Sequence, residues 1–207
     1  MKQKNIMILA AFFLFACQNK IEKKIDQKSS NNKEISNTII EPCNFDRFLN
    51  DTRVPVIAKE LYNNTYKLKS DEPLSLLEKL KSNNKEERKF YFRVITNSYK
   101  ISDGAYSESL GNTGKEYVEN KTEEFVEYFG NKECFTDDDL KTWAKITVLE
   151  FEIIDENFEA GEKKSMAFKY CDELIIKSEK FTKNQKETIL KFTKLLKTEW
   201  AEFLKSI

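Results

Sequence analysis

The chain has 207 residues, with 35 basic and 35 acidic side chains and no histidine. A net charge of zero argues against nucleic-acid binding, and the lack of histidine excludes Ser-His and Cys-His catalytic pairs and histidine-based zinc sites. Charged residues make up 34% of the chain, with only five glycines and three prolines, a composition that favours long helices.

The chain begins with a basic segment followed by an apolar run. Lys2 and Lys4 precede residues 6–16, which are all apolar. This run fits the apolar region of a signal peptide and is too short for a transmembrane helix, which needs about 20 residues. It ends in Leu14-Phe15-Ala16-Cys17, a segment that resembles the lipobox of bacterial lipoproteins.

The resemblance implies a signal peptide over residues 1–16 and a mature chain that begins at an acylated Cys17. Two or three acyl chains on this residue would anchor the protein stably in a lipid bilayer. Gln18 follows the cysteine, so the Asp that suggests retention in the inner membrane is not there. We therefore expect a lipid-anchored protein of the bacterial cell envelope, in the outer membrane and facing the periplasm.

Residues 17–40 are polar, with a Ser-Ser-Asn-Asn centre and no sustained apolar period. This pattern predicts a flexible tether. A flexible segment of this length has a typical span of roughly 26 Å, enough to lift a domain off the lipid surface. The folded part is then predicted to be a single domain over residues 41–207.

Helix signals follow one another through this domain and predict an all-α fold of about seven helices. Asn84 and Glu87 have the spacing of a helix cap and its third residue, and Thr182 and Gln185 have the spacing of a capping box. The predicted helices cover residues 56–63, 73–82, 84–102, 115–128, 140–158, 167–181 and 182–207. The last three carry apolar residues at steps of three or four, which predicts antiparallel helical hairpins forming a C-terminal three-helix unit.

Two short motifs are better explained by structure than by chemistry. Gly111-Asn112-Thr113-Gly114-Lys115 resembles a phosphate-binding loop but lacks its first glycine and its hydroxyl residue, so we interpret it as a turn before a helix. Asp137-Asp138-Asp139 lacks the alternating ligands and the glycine of a calcium loop. Thr136 is expected to cap a helix there, with the three acidic residues in its first turn.

Three cysteines remain once Cys17 is assigned to lipid, and an oxidising compartment allows one disulfide among them. Cys43 and Cys134 lie beside predicted helix ends, where loops adjust easily, whereas Cys171 falls within an apolar stripe. We therefore favour a Cys43–Cys134 disulfide, with Cys171 as a small core residue.

Charge is unevenly distributed along the chain. Residues 53–102 contain 11 basic and 6 acidic residues, residues 103–162 contain 5 and 17, and residues 163–207 contain 11 and 6. Packed helices with complementary exposed faces explain this pattern. An acidic surface for a basic protein or peptide is the alternative. The candidate partner-binding residues are then Glu116, Glu119, Glu123, Glu124, Glu127, Asp137 and Asp138.

No residue pattern predicts a catalytic site, a metal site or a cofactor. The sequence therefore favours a non-enzymatic module that binds a protein or peptide, of which an inhibitor or immunity lipoprotein is a concrete form. Two alternatives remain open: a carboxylate-dependent hydrolase acting on cell-wall glycan, and a carrier with an apolar cavity for a small ligand.

Overall fold

The computed structural model describes residues 43–67, 73–153 and 160–206, and these ranges contain nine α-helices and no strand. The predicted all-α fold is confirmed. The helices are α1 (Asp46–Asn50), α2 (Val56–Tyr62), α3 (Leu74–Leu77), α4 (Lys85–Ser98), α5 (Gly104–Asn120), α6 (Thr122–Tyr128), α7 (Asp137–Ile153), α8 (Ala160–Lys177) and α9 (Lys183–Ser206). Short 3-10 turns follow α3, α4 and α8, at Glu78–Lys81, Tyr99–Ile101 and Ser178–Lys180.

All the described residues belong to one compact unit, which runs from Ile39 to Ile207. The predicted signal peptide (1–16), Cys17 and the tether (17–40) lie outside the described residues, as does the end of the predicted 140–158 helix. Within the described ranges, no helix combines the length and the apolar character needed to cross a membrane.

The predicted helix caps are present as hydrogen bonds. The Asn84 side chain accepts from the backbone N–H groups of residues 86 and 87 at the start of α4. Thr182 and Gln185 form a reciprocal capping box before α9. Thr136 forms a similar box with Asp139 before α7, at 2.7 and 3.3 Å. These local bonds satisfy N–H groups that have no partner within the helix, which is why the sequence signals were reliable here.

Helix α4 lies between two apolar clusters and contributes to both. Phe90 belongs to the smaller cluster, which α1 and α2 complete. Phe92 belongs to the larger one, where its ring stacks on Trp143 at 4.1 Å. The Trp143 indole N–H donates to the Thr96 hydroxyl at 2.8 Å, so the buried polar atoms of this contact are paired. Burial on two sides explains the apolar alternation at the centre of α4, which resembles a strand pattern in the sequence.

The three C-terminal helices form the predicted unit, in which α9 packs against both α7 and α8. Helix α5 also packs against α7 and adds a fourth long helix to this part of the bundle. The apolar stripes of these helices meet in the larger cluster, which includes Ile146, Ala167, Phe192 and Trp200.

The predicted turn at 111–115 is wrong, because these residues lie inside α5. This helix begins at Gly104, whose φ of +42° suits glycine, and continues past Lys115 to Asn120. A Cβ atom on Gly111 would lie 2.8 Å from the Leu149 Cβ, and one on Gly114 would overlap the Ile146 side chain. The two glycines therefore let α5 approach α7 closely, a role that depends on a distant part of the chain.

Replacing Gly114 with Ala is expected to lower the free energy of unfolding by about 1–3 kcal/mol, because the added methyl group pushes α7 away from α5. Urea unfolding followed by circular dichroism measures the change. Asn112→Ala in the same helix is the control, since this side chain is exposed and alanine favours helix. If the two variants were equally stable, the close approach would not require the glycine.

The structure joins Cys43 to Cys134, the pair favoured from the sequence, with the two Cα atoms 5.2 Å apart. Cys43 precedes α1 and Cys134 precedes α7, so the disulfide joins the first described residue to the middle of the chain. Cys171 is a free thiol buried in α8, where its Sγ lies 3.7 Å from the Thr193 carbonyl oxygen. It is part of the larger apolar cluster, as a small core residue would be.

Candidate functional site

Several helix ends meet at one end of the bundle, and lysine side chains contact groups on neighbouring helices there. Lys85 at the start of α4 contacts Glu127 on α6 at 2.6 Å. Lys177 at the end of α8 donates to the Glu119 carbonyl oxygen at the end of α5. Lys191 on α9 contacts the first residue of α7, Asp137, at 2.5 Å.

Three adjoining depressions run across this end of the bundle. The first, of about 180 Å³, lies beside Leu80 and Tyr117; the second, of about 370 Å³, beside the start of α6; and the third, of about 440 Å³, between α6 and α9. Asn120 and Lys121 line both the first and the second, and Glu127 lines both the second and the third. We call this continuous surface the end groove.

A buried ion pair supports the end groove from below. Arg88 on α4 donates to both carboxylate oxygens of Glu124 on α6, at 2.8 and 2.5 Å, and both side chains are about 90% buried. The Tyr117 hydroxyl donates to the same carboxylate at 2.8 Å. Burial alone would raise the pKa of Glu124, but the hydrogen bonds from Arg88 and Tyr117 outweigh it and hold this pKa below its usual value. The carboxylate therefore remains ionised and fixed in position.

Glu124 must be withdrawn from the predicted partner-binding residues. Its side chain is only 11% exposed and its oxygens are engaged by Arg88 and Tyr117 within the chain. A partner cannot readily reach a buried carboxylate whose oxygens already accept hydrogen bonds within the chain. Its contribution is to hold α4, α5 and α6 together beneath the end groove.

Most of the other predicted acidic residues are paired with lysines of this chain. Glu116 contacts Lys81 at 3.9 Å, Glu119 contacts Lys115 at 3.2 Å, and Glu127 contacts Lys85. Asp137 contacts both Lys132 and Lys191, and their hydrogen bonds lower its pKa to about 2. Complementary helix faces, the simpler of the two interpretations of the charge pattern, are therefore present in the structure.

Glu123 and Asp138 differ from the rest because both are exposed and neither forms an ion pair with any described residue. Glu123 lines the middle depression of the end groove. Lys121 and Lys180 line the same depression, and they too form no ion pair within the described ranges. The middle of the groove therefore presents unpaired charges of both signs.

The basic residues of the end groove were missed by the sequence analysis. Lys85 precedes the acidic segment in sequence and Lys177 and Lys180 follow it, so they meet this segment only through folding. The excess of basic residues on both sides of the acidic segment was the available signal, but it could not say which lysines would meet which acids.

The described residues hold no group of three or more Cys, Asp or Glu side chains arranged to bind a metal ion. The end groove combines charges that are paired within the chain with a few unpaired ones. Comparison with known protein families, with characterised proteins and with solved structures finds no match to this chain.

Proposed function

We propose that this chain is an envelope lipoprotein, anchored to a bacterial membrane through Cys17, whose helical domain binds a protein or peptide partner and catalyses no reaction. The basic start, the apolar run 6–16 and the Leu14-Phe15-Ala16-Cys17 segment support the anchor and the outer-membrane, periplasm-facing location. The Cys43–Cys134 disulfide is compatible with an oxidising compartment such as the periplasm.

The continuity of the end groove carries the proposal for binding. Its three depressions share lining residues, so an extended segment of a partner could contact all three at once. Recognition would depend on the unpaired charges, since residues already engaged within the chain gain less from a partner. In an inhibitor or immunity role, Glu123 would meet a basic residue of that partner, with Asp138 available near the start of α7.

Replacing Glu123 with Lys is expected to weaken binding of the partner at least tenfold, because an unpaired carboxylate becomes a charge of the opposite sign. The purified domain is immobilised and exposed to envelope extract at moderate salt, and the retained protein is identified and its Kd measured. Glu108→Lys is the matched control, since Glu108 is exposed, unpaired among the described residues, and on α5 away from the groove.

A single stoichiometric partner retained by the wild type and by Glu108→Lys, but not by Glu123→Lys, would support the proposal. Equal retention by both variants would contradict the assignment of the end groove. Retention of cell-wall glycan alone would instead favour the hydrolase alternative.

A second surface depression is a candidate location for the hydrolase function. Glu152, Glu199 and Glu202 line a shallow depression of about 280 Å³ together with Tyr99 and Phe203. Burial raises the pKa of Glu152, whereas Glu199 is paired with Lys141 at 3.4 Å. Two carboxyl groups in such different environments are what an acid and base pair requires. We rank this function second, because the depression is open and shallow.

A further inference from the structure

Helices α8 and α9 form an antiparallel hairpin, one side of which is turned away from the core. Asp172 on α8 contacts Lys197 on α9 at 3.2 Å, and the Lys197 ammonium lies 4.9 Å from the centre of the Phe168 ring. These contacts cross between the helices on their exposed side. Residues one or two turns from them along each helix therefore lie on the same side of the hairpin.

Two large apolar side chains are exposed on this side. Ile176 lies one turn beyond Asp172, and Leu190 lies two turns before Lys197, so both point the same way as the ion pair. Ile176 is 65% exposed and Leu190 is 53% exposed, which places them among the few large apolar residues that the described part of the chain leaves in contact with solvent. Leu190 and Ala201 also line a shallow depression of about 470 Å³ along α9.

Lysines flank Leu190 along α9. Lys194 and Lys205 line the same depression as Leu190, and Lys186 lies one turn before it on the same stripe. None of the three forms an ion pair with a described residue, whereas Glu202 is the single acidic residue lining the depression. We call this surface, with Ile176, Leu190 and the three lysines, the hairpin face.

We infer that the hairpin face rests on an anionic lipid surface. Apolar side chains flanked by lysines on one face of a helix are the pattern of a helix that lies in a membrane interface. The surface is open and shallow, so it offers a flat contact and no enclosed site. Each unpaired lysine near an anionic bilayer strengthens such contact by about fivefold.

The inference rests on the lipid anchor of the proposed function, because the face by itself is small. An anchor at Cys17 would keep the domain close to the bilayer, so even a weak contact would be populated. Contact through the hairpin face would use α8 and α9 surfaces that the end groove does not include, and the two surfaces could be occupied together.

Probe quenching in vesicles tests the inference with the full acylated chain. Leu190→Cys carries a fluorophore, since Cys17 is acylated, Cys43 and Cys134 are bonded, and Cys171 is buried. The vesicles contain phosphatidylglycerol or only phosphatidylcholine, each with a quencher attached to the lipid. Val56→Cys on α2 is the control site, because this residue is 70% exposed and lies outside the hairpin.

We expect strong quenching at position 190 in phosphatidylglycerol vesicles and little at position 56. Lys194→Glu combined with Lys205→Glu should lower the contact equilibrium constant at least tenfold, as should replacing the anionic lipid. Equal quenching at positions 190 and 56 would overturn the inference. So would quenching at position 190 that is the same in phosphatidylglycerol and phosphatidylcholine vesicles. Protection of position 190 by an acidic protein, without quenching by lipid, would overturn it in favour of a protein partner.

Vesicle flotation separates the two proposals. A chain that floats with the vesicles but shows no quenching at position 190 retains its anchor and disproves only the lipid contact. A chain that carries no acyl group on Cys17 and does not float disproves the anchor itself.

Discussion

Loss of the Cys43–Cys134 disulfide is expected to lower the free energy of unfolding by about 4–5 kcal/mol in the chain-entropy model. The two cysteines are 91 residues apart in sequence, so the bond closes a loop of nearly half the chain. Without it the unfolded chain gains the freedom of that loop. The segment containing α1 is then held by its packing in the smaller apolar cluster, around Phe45 and Phe90, and by the exposed Arg47–Glu86 ion pair.

Urea unfolding of the wild type with and without reductant measures this effect, and Cys43→Ser with Cys134→Ser should reproduce the reduced value. The double variant should not respond to reductant. Cys171→Ala is the control, because it keeps the disulfide and should respond to reductant as the wild type does. If reductant moved the wild-type midpoint no further than that of the double variant, the bond would not be contributing to stability.

Replacing Glu124 with Gln is expected to lower the free energy of unfolding by about 3–5 kcal/mol, because it leaves the Arg88 guanidinium buried without its counter-charge. Arg88 is 9% exposed, and of its described acceptors it keeps the Ser82 carbonyl oxygen and one amide oxygen of the new glutamine, neither of which carries a charge. Replacing both members of the pair, with Arg88→Met and Glu124→Leu, should recover much of the loss, since no uncompensated charge then remains.

Glu127→Gln is the matched control one turn further along α6. Its ion pair with Lys85 is as short, at 2.6 Å, but the two side chains are 41% and 56% exposed. Exposed pairs contribute about 0–1 kcal/mol, so this variant should unfold almost as the wild type does. If Glu124→Gln and Glu127→Gln lowered the free energy of unfolding equally, burial of the Arg88–Glu124 pair would not increase its contribution to stability.

The same pair predicts a dependence on pH. Because the pKa of Glu124 is lowered from 4.5 in the folded state, the folded chain binds fewer protons at this site than the unfolded chain. The stability that ionised Glu124 contributes is fully present above about pH 4.5, the pKa in the unfolded chain. It is lost as the pH falls from about 4.5 through the lower pKa of the folded chain. The difference in unfolding free energy between the wild type and Glu124→Gln should therefore narrow in this acidic range.

Local signals predicted the helices well, and distant contacts account for the main error. The capping boxes before α7 and α9 involve residues three apart, so the sequence contains all the information they need. Gly111 and Gly114 were assigned to a turn because glycine breaks isolated helices. Their actual neighbours, Ile146 and Leu149, lie more than 30 residues further along, and one sequence does not reveal that contact.

The candidate site was predicted only in part for the same reason. Seven acidic residues were named from the charge of one segment, but whether each is free depends on lysines and arginines elsewhere. Arg88 forms a buried ion pair with Glu124, which excludes Glu124 as a binding residue, and Lys191 forms an ion pair with Asp137. Neither basic residue is near its partner in sequence. Glu123 and Asp138 remain candidates because neither forms an ion pair with a described residue.

The burial of Cys171 has a consequence for the persistence of the Cys43–Cys134 pairing. Burial raises the pKa of its thiol to about 12, so the thiol stays protonated at neutral pH. Thiolate is the species that attacks a disulfide, and this one is also enclosed by the core. Once folded, the chain therefore resists scrambling of its disulfide and linkage to other molecules through its odd cysteine.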